Sequence, residues 1–175
     1  MLLHDNSDRY GSVTRTLHWL MGLILLWQCL SAGAHFLLTD TAVEKWIWPT
    51  HKPLGFVLFL LAAVRIIWAL ISMNQRPVAI NVAAKLGHIA LYSLLIIVPA
   101  LALVRQYGSG RAFEPFGLPL MSGHNDKILW MMEPGNLLHG VLGWLLFTFI
   151  LGHILMVVWH RKSSSHQDVL PRMWS

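Results

Sequence analysis

Four uncharged or nearly uncharged apolar stretches, each long enough to cross a lipid bilayer, constrain this chain more than any other feature. They run from Thr16 to Thr39, Pro53 to Gln75, Leu86 to Val104 and Pro134 to His160. A bilayer's hydrocarbon core is about 30 Å thick, and a helix needs about 20 apolar residues to span it. In lipid every backbone N–H and C=O has to be satisfied within the chain, so segments of this length fold as helices and not as open strands. Hydrophobic residues make up 55% of the chain and charged residues only 12%, too few charges to keep a soluble domain of this size dispersed. The expected fold is an all-α integral membrane protein: one domain over residues 1–175, an antiparallel bundle with four transmembrane helices at about 16–38, 52–73, 86–104 and 136–160.

The polar residues between the stretches agree with this layout. Trp19, Trp46, Trp48, Trp130 and Trp159 stand near the ends of apolar runs, where an indole buries its ring and keeps its N–H wet. The net charge of +5 comes from residues scattered between apolar segments, not from a basic patch interleaved with aromatics, so it argues against nucleic acid as a partner. Arg9, Arg15, Arg76, Lys85, Arg161, Lys162 and Arg172 fall on one side, against Lys45, Lys52, Arg105, Arg111 and Lys127 on the other. By the positive-inside tendency both termini are expected in the cytoplasm. Cys29 is the single cysteine, so no internal disulfide or CxxC site can form, and a small packing residue is the plain reading. The first stretch is too long, and lacks a small-residue cleavage site, for an ordinary signal peptide. The connections expected are Asp40 to Lys52, Met73 to Lys85, and a long Gly- and Pro-rich one from Arg105 to Glu133.

Ten histidines are present, and His18, His35, His51, His88, His139, His153 and His160 lie in or at the ends of the stretches. A histidine at such depth is either a hydrogen-bonded packing residue or a functional group. His139 and His153 are separated by 14 positions, which is roughly 21 Å of helical rise on faces about 40° apart. With helix direction alternating, His18 falls level with His153 and His51 level with His139. Two facing imidazole pairs at two depths suit bis-histidine haem, since each neutral ring gives one nitrogen to iron and donates its other N–H to a neighbour. Zinc wants four ligands, and no such cluster is visible. Gly22, Gly55, Gly87, Gly140, Gly143 and Gly152 sit near the histidines, where a flat macrocycle needs the backbone to step back; small-residue helix packing explains any one of them equally well.

Tyr10, Arg15, His18 and Trp19, then His51 with Gly55 and Arg65, the run His88 to Tyr92, the fourth-span His139, His153 and His160, and the tail Leu170 to Met173 together resemble the bacterial cytochrome b561 family over nearly the whole chain. The resemblance implies two haem b groups, His18 with His153 as ligands on the cytoplasmic side and His51 with His139 on the periplasmic side. It also implies a multi-pass protein of the bacterial inner membrane, surrounded by lipid, that passes electrons to ubiquinone. The superoxide oxidase type, which takes electrons from superoxide, is the favoured reading. A haem b relay or anchor for a separate redox subunit of a respiratory dehydrogenase or hydrogenase is the alternative, and a haem-free or haem-sensing scaffold is a third.

Around the pairs, Arg65 reaches the depth of the inner haem on an otherwise uncharged helix and needs an anion there, a haem propionate or the quinone region, unless it snorkels to the interface. Arg15, one turn before His18, is a second propionate candidate. His88 shares a face with Tyr92 and competes with His18 as a ligand. His160 either ends the fourth helix or bonds a quinone carbonyl. His35 is expected to be exposed or beside a propionate, and His4, His124 and His166 to be solvated. The outer basic residues either steer an anion such as superoxide or simply set topology.

Overall fold

A computed structural model describes residues 3–163 and 167–174. They form six α-helices: α1 (Ser12–Leu37), α2 (Ala42–Ile47), α3 (His51–Ile71), α4 (Val82–Gly108), α5 (Leu129–Lys162) and α6 (Pro171–Trp174). Among the described residues there is no strand, only an isolated antiparallel bridge between Phe113 and Met121. Four helical segments are long and apolar enough to cross a membrane: Ser12–Leu37, Ala42–Ile71, Val82–Gly108 and Leu129–Lys162. Their outward faces are apolar as well, with Leu23 67% and Leu155 66% exposed, as helices surrounded by lipid require. The direction of each helix follows from which ends meet. His18 at the start of α1 neighbours Arg65 late in α3 and His153 late in α5, whereas Ser31 late in α1 neighbours His51 at the start of α3.

The helices all start before the stretches that announce them, and α4 and α5 also end after theirs, whereas α1 and α3 stop short at Leu37 and Ile71, because hydropathy marks the thickness of the lipid and capping marks the end of a helix. The third helix begins at Val82, four residues before the expected start, where the Asn81 side chain accepts the Ala84 N–H at 2.7 Å, a capping bond. The fourth begins at Leu129, so Pro134 lies inside it and does not open it. The largest difference is the first connection. Glu44 and Lys45 interrupt the apolar pattern, yet 42–47 is helical, capped by Thr41, which accepts from Glu44 N. A 3-10 turn over Trp48–Thr50 then leads directly into α3. The long connection shrinks to 109–128, closed by the bridge and by His124 N donating to Gly110 O at 2.9 Å. His124 is also held through its ring, Nε2 lying 3.0 Å from Tyr107 O. His4 is exposed but stacks on Trp68 at 5.5 Å, and His166 lies outside the described residues.

Packing is uneven around the bundle. The pairing of α4 with α5 is the most extensive, α1 packs on α3 and α3 on α4, but α5 comes into little or no close backbone contact with α1 or α3. The α4–α5 seam is tight because Gly135 and Gly108 have no side chain. A Cβ on Gly135 would stand 2.7 Å from both Arg105 Cβ and Leu101 O, and one on Gly108 would stand 2.7 Å from Met131 Cβ. A core of Met21, Leu58, Ala62, Leu94, Leu95, Val98 and Leu146 joins all four spanning helices, and Leu146 lies midway between His139 and His153 on α5. The described terminal segments close one end. Asp5, buried, accepts from Gly11 N at 2.8 Å and Thr14 Oγ1 at 3.0 Å and pairs with Arg76 at 3.1 Å. Tyr10 N donates to Arg172 O at 3.1 Å, and Trp19 Nε1 to Met173 O at 3.2 Å.

Gly135→Val should therefore lower stability by about 1–3 kcal/mol through overpacking, read as a lower thermal midpoint in detergent. Gly33→Ala should leave the midpoint unchanged or raise it, because an added Cβ there meets nothing within 4 Å and alanine favours helix.

Candidate functional site

Two clusters of histidine lie between α5 and the other helices, at opposite ends of the core. At the end away from the described termini, the rings of His51 and His139 face each other with centres 6.4 Å apart and planes at 87°. His51 opens α3 directly after the 3-10 turn, so the Trp48 ring stacks on it at 4.7 Å, and His35 stacks on Trp48 in turn at 3.8 Å. His51 Nδ1 lies 2.8 Å from Ser31 Oγ, and Gln28 Nε2 donates to the His51 carbonyl at 3.0 Å. His139 Nδ1 lies 2.9 Å from Val98 O; a carbonyl only accepts, so the ring donates from Nδ1 and its lone pair is on Nε2.

At the other end, three imidazoles meet. The His18 and His153 ring centres are 6.1 Å apart with planes at 72°, and His88 on α4 stands 5.9 Å from His153. Arg65 reaches this cluster from α3. Its Nε donates to Tyr92 OH at 3.0 Å, its Nη1 lies 3.1 Å from His18 Nδ1, and the guanidinium sits 5.6 Å from the Tyr92 ring centre. A guanidinium has only donors, so His18 Nδ1 accepts here. Among the described residues no carboxylate pairs with Arg65, which leaves an anion wanting at this level.

The geometry suits a group held between two rings. A metal–imidazole bond is about 2.0–2.1 Å and the ring nitrogen lies about 1.1 Å from the ring centre, so two rings on opposite sides of one metal are centred about 6.3 Å apart. Both pairs stand within a few tenths of an ångström of that separation, and so does His88 with His153 at 5.9 Å. Among the described residues no group of three or more His, Cys, Asp or Glu is placed to hold a bare ion; a haem, which brings four nitrogens of its own, would need only the two rings of a pair. Gly22 and Gly143 lie one turn past His18 and His139, and a Cβ on either would meet nothing within 4 Å. Gly55 fits the helix-packing alternative, since its missing Cβ faces Gln28 Nε2 of α1 at 3.5 Å.

The remaining predicted residues are placed as follows. His160 is buried near the end of α5, and Arg15 is half-buried one turn before His18 without a hydrogen bond to the cluster. The side chain of His35 is largely exposed as expected, but its Nδ1 is 2.9 Å from the buried Glu44 carboxylate. Of the outer basic residues, Lys52 bonds Gln106 Oε1 at 3.2 Å and lies within electrostatic reach of Arg105 and Arg111. Sequence reasoning missed Gln28, Ser31 and Trp48. The signal for the first two is present, two polar residues one turn apart in an apolar span, while Trp48 reads as one more interfacial tryptophan.

The family model described as prokaryotic cytochrome b561 matches residues 9–175. The chain is also similar to cytochrome b561 homolog 2 of Escherichia coli (strain K12), 24% identical over 181 residues that cover 99% of this chain and 95% of that protein. With four membrane-crossing helices and paired interior histidines, the chain belongs to the prokaryotic cytochrome b561 family of membrane haem b electron-transfer proteins.

Proposed function

We propose that the chain holds two haem b groups, one at each level, and carries electrons across the inner membrane from superoxide outside to ubiquinone near the inner face. The observation that carries this reading is the pair of ring separations, 6.1 Å for His18 with His153 and 6.4 Å for His51 with His139. These four are the ligands. Bound between them, haem would supply a one-electron iron centre, and the neighbours of the four histidines would tune its potential. The excess of basic residues beside the described termini supports cytoplasmic termini, which makes the Arg65 level the inner one.

At that level Arg65 provides a permanent charge for the carboxylates of a haem or for a quinone carbonyl, with Arg15 a turn away. Turned toward such an anion, Arg65 releases His18 Nδ1, which then carries the ring hydrogen and leaves Nε2 for metal. Tyr92 accepts from Arg65 Nε, so its own O–H remains to donate to a quinone oxygen. His88 stands beside His153 at this level, and His160 near the end of α5 is the candidate for a bond to a quinone carbonyl. The chemistry balances: two superoxide anions each give up one electron and leave as oxygen, and ubiquinone takes two electrons and two protons. At the outer face Lys52, Arg105 and Arg111 attract an anionic donor.

Three outcomes are expected. His153→Ala should remove the inner haem and His139→Ala the outer, each leaving about half of the haem absorbance; full haem content with unchanged spectra in both would contradict the assignment. Arg65→Ala or His160→Ala should slow haem oxidation by quinone while superoxide-driven reduction stays nearly intact, and equal loss in both half-reactions would remove the division of labour. Reversing charge at Lys52 and Arg105 should slow reduction by pulsed superoxide, and salt should slow the wild type, because the Debye length falls from about 10 Å at 0.1 M to about 3 Å at 1 M. A rate indifferent to both changes, in a protein that co-purifies with a soluble redox subunit, would favour the relay.

A further inference from the structure

We infer that Ser31 is a positioning residue for the outer centre: its hydroxyl determines which nitrogen of His51 carries hydrogen, and hence which nitrogen keeps the lone pair a metal would use. The inference rests on reading His51 and His139 as a ligand pair, and it deepens that reading.

Ser31 is fully buried in α1. Its Oγ has two partners, the Gln28 carbonyl oxygen at 2.9 Å and His51 Nδ1 at 2.8 Å. A hydroxyl has one hydrogen to give, and a carbonyl can only accept. Both contacts are bonds only if the hydroxyl hydrogen goes to Gln28 O and the second bond is donated by the ring, from Nδ1–H to Oγ. The neutral imidazole then has its lone pair on Nε2, the form in which that nitrogen can bind a metal. His139 reaches the same tautomer by another route, donating to the Val98 carbonyl at 2.9 Å.

The inner level is built the opposite way. His18 Nδ1 receives a hydrogen bond from Arg65, which places the neutral ring's hydrogen on Nε2. So the chain itself sets the tautomer of both rings at the outer level, whereas His18 depends on Arg65 moving. Gln28 links the outer parts, since the residue whose carbonyl takes the Ser31 hydrogen also clamps the first residue of α3 through its side chain, donating to His51 O at 3.0 Å.

The test is a redox titration of the purified protein, with haem content measured alongside, for the wild type, Ser31→Ala, Ser31→Thr and His51→Ala. A hydrogen bond from Nδ1–H makes the ligating nitrogen more basic, which favours the oxidised metal. Ser31→Ala should therefore shift the outer centre to a higher potential and leave the inner centre in place, and Ser31→Thr, which keeps the hydroxyl, should restore it. Loss of the outer haem in Ser31→Ala with retention in Ser31→Thr supports the same role. Unchanged potentials at full haem content in Ser31→Ala, or identical effects of alanine and threonine, would overturn the inference while the ligand pair stands. Full haem content in His51→Ala would instead overturn the ligand pair, and the role of Ser31 with it.

Discussion

An imidazole inside an apolar bundle has two nitrogens to satisfy, and the architecture of this protein follows from where they go. At the outer level one nitrogen of each ring is taken by the chain, by Ser31 for His51 and by Val98 O for His139. The centre of the partner ring is 6.4 Å away, a separation that also fits one metal between two rings. The gap is maintained by packing elsewhere. Glycines at 108 and 135 draw α5 tightly onto α4, and α5 correspondingly stands off from α1 and α3, across which both histidine pairs face.

The two levels are electrostatically unlike. The outer rings are hydrogen-bonded to neutral oxygens and braced by Trp48, itself covered by His35. The inner rings gather around Arg65, a cation without a protein carboxylate. On the proposed reading this difference gives electron flow a direction. Ligands that donate to neutral acceptors would favour an oxidised metal at the outer centre, and the permanent charge of Arg65 would favour a reduced metal at the inner one. On the same reading this cation, beside the Tyr92 hydroxyl, would offer polar contacts to a quinone near the inner face.

Much of this was legible in the sequence, for reasons that differ by residue. The four spans could be read because lipid admits few alternatives to a long apolar helix. The pairing of His139 with His51 and of His153 with His18 followed from helical rise and alternating direction alone. Helix ends were less legible, since Asn81 and Thr41 cap helices inside segments that hydropathy assigns to loops. His88 could be placed on the inner side but not 5.9 Å from His153, because rise fixes depth while the rotation of α4 depends on the glycine seam with α5. Ser31 and Gln28 were passed over because a hydroxyl or amide within a span has a local partner one turn back by default, and only the tertiary approach of His51 reveals the second bond.

The central claim is that each pair of facing rings holds one haem. It is tested most directly by measuring haem per chain in the purified wild-type protein together with the near-infrared magnetic circular dichroism of the oxidised form, which reports the axial ligands. The account predicts two low-spin haems per chain, both with two imidazole ligands. A single haem, or a centre with only one histidine ligand, would contradict it.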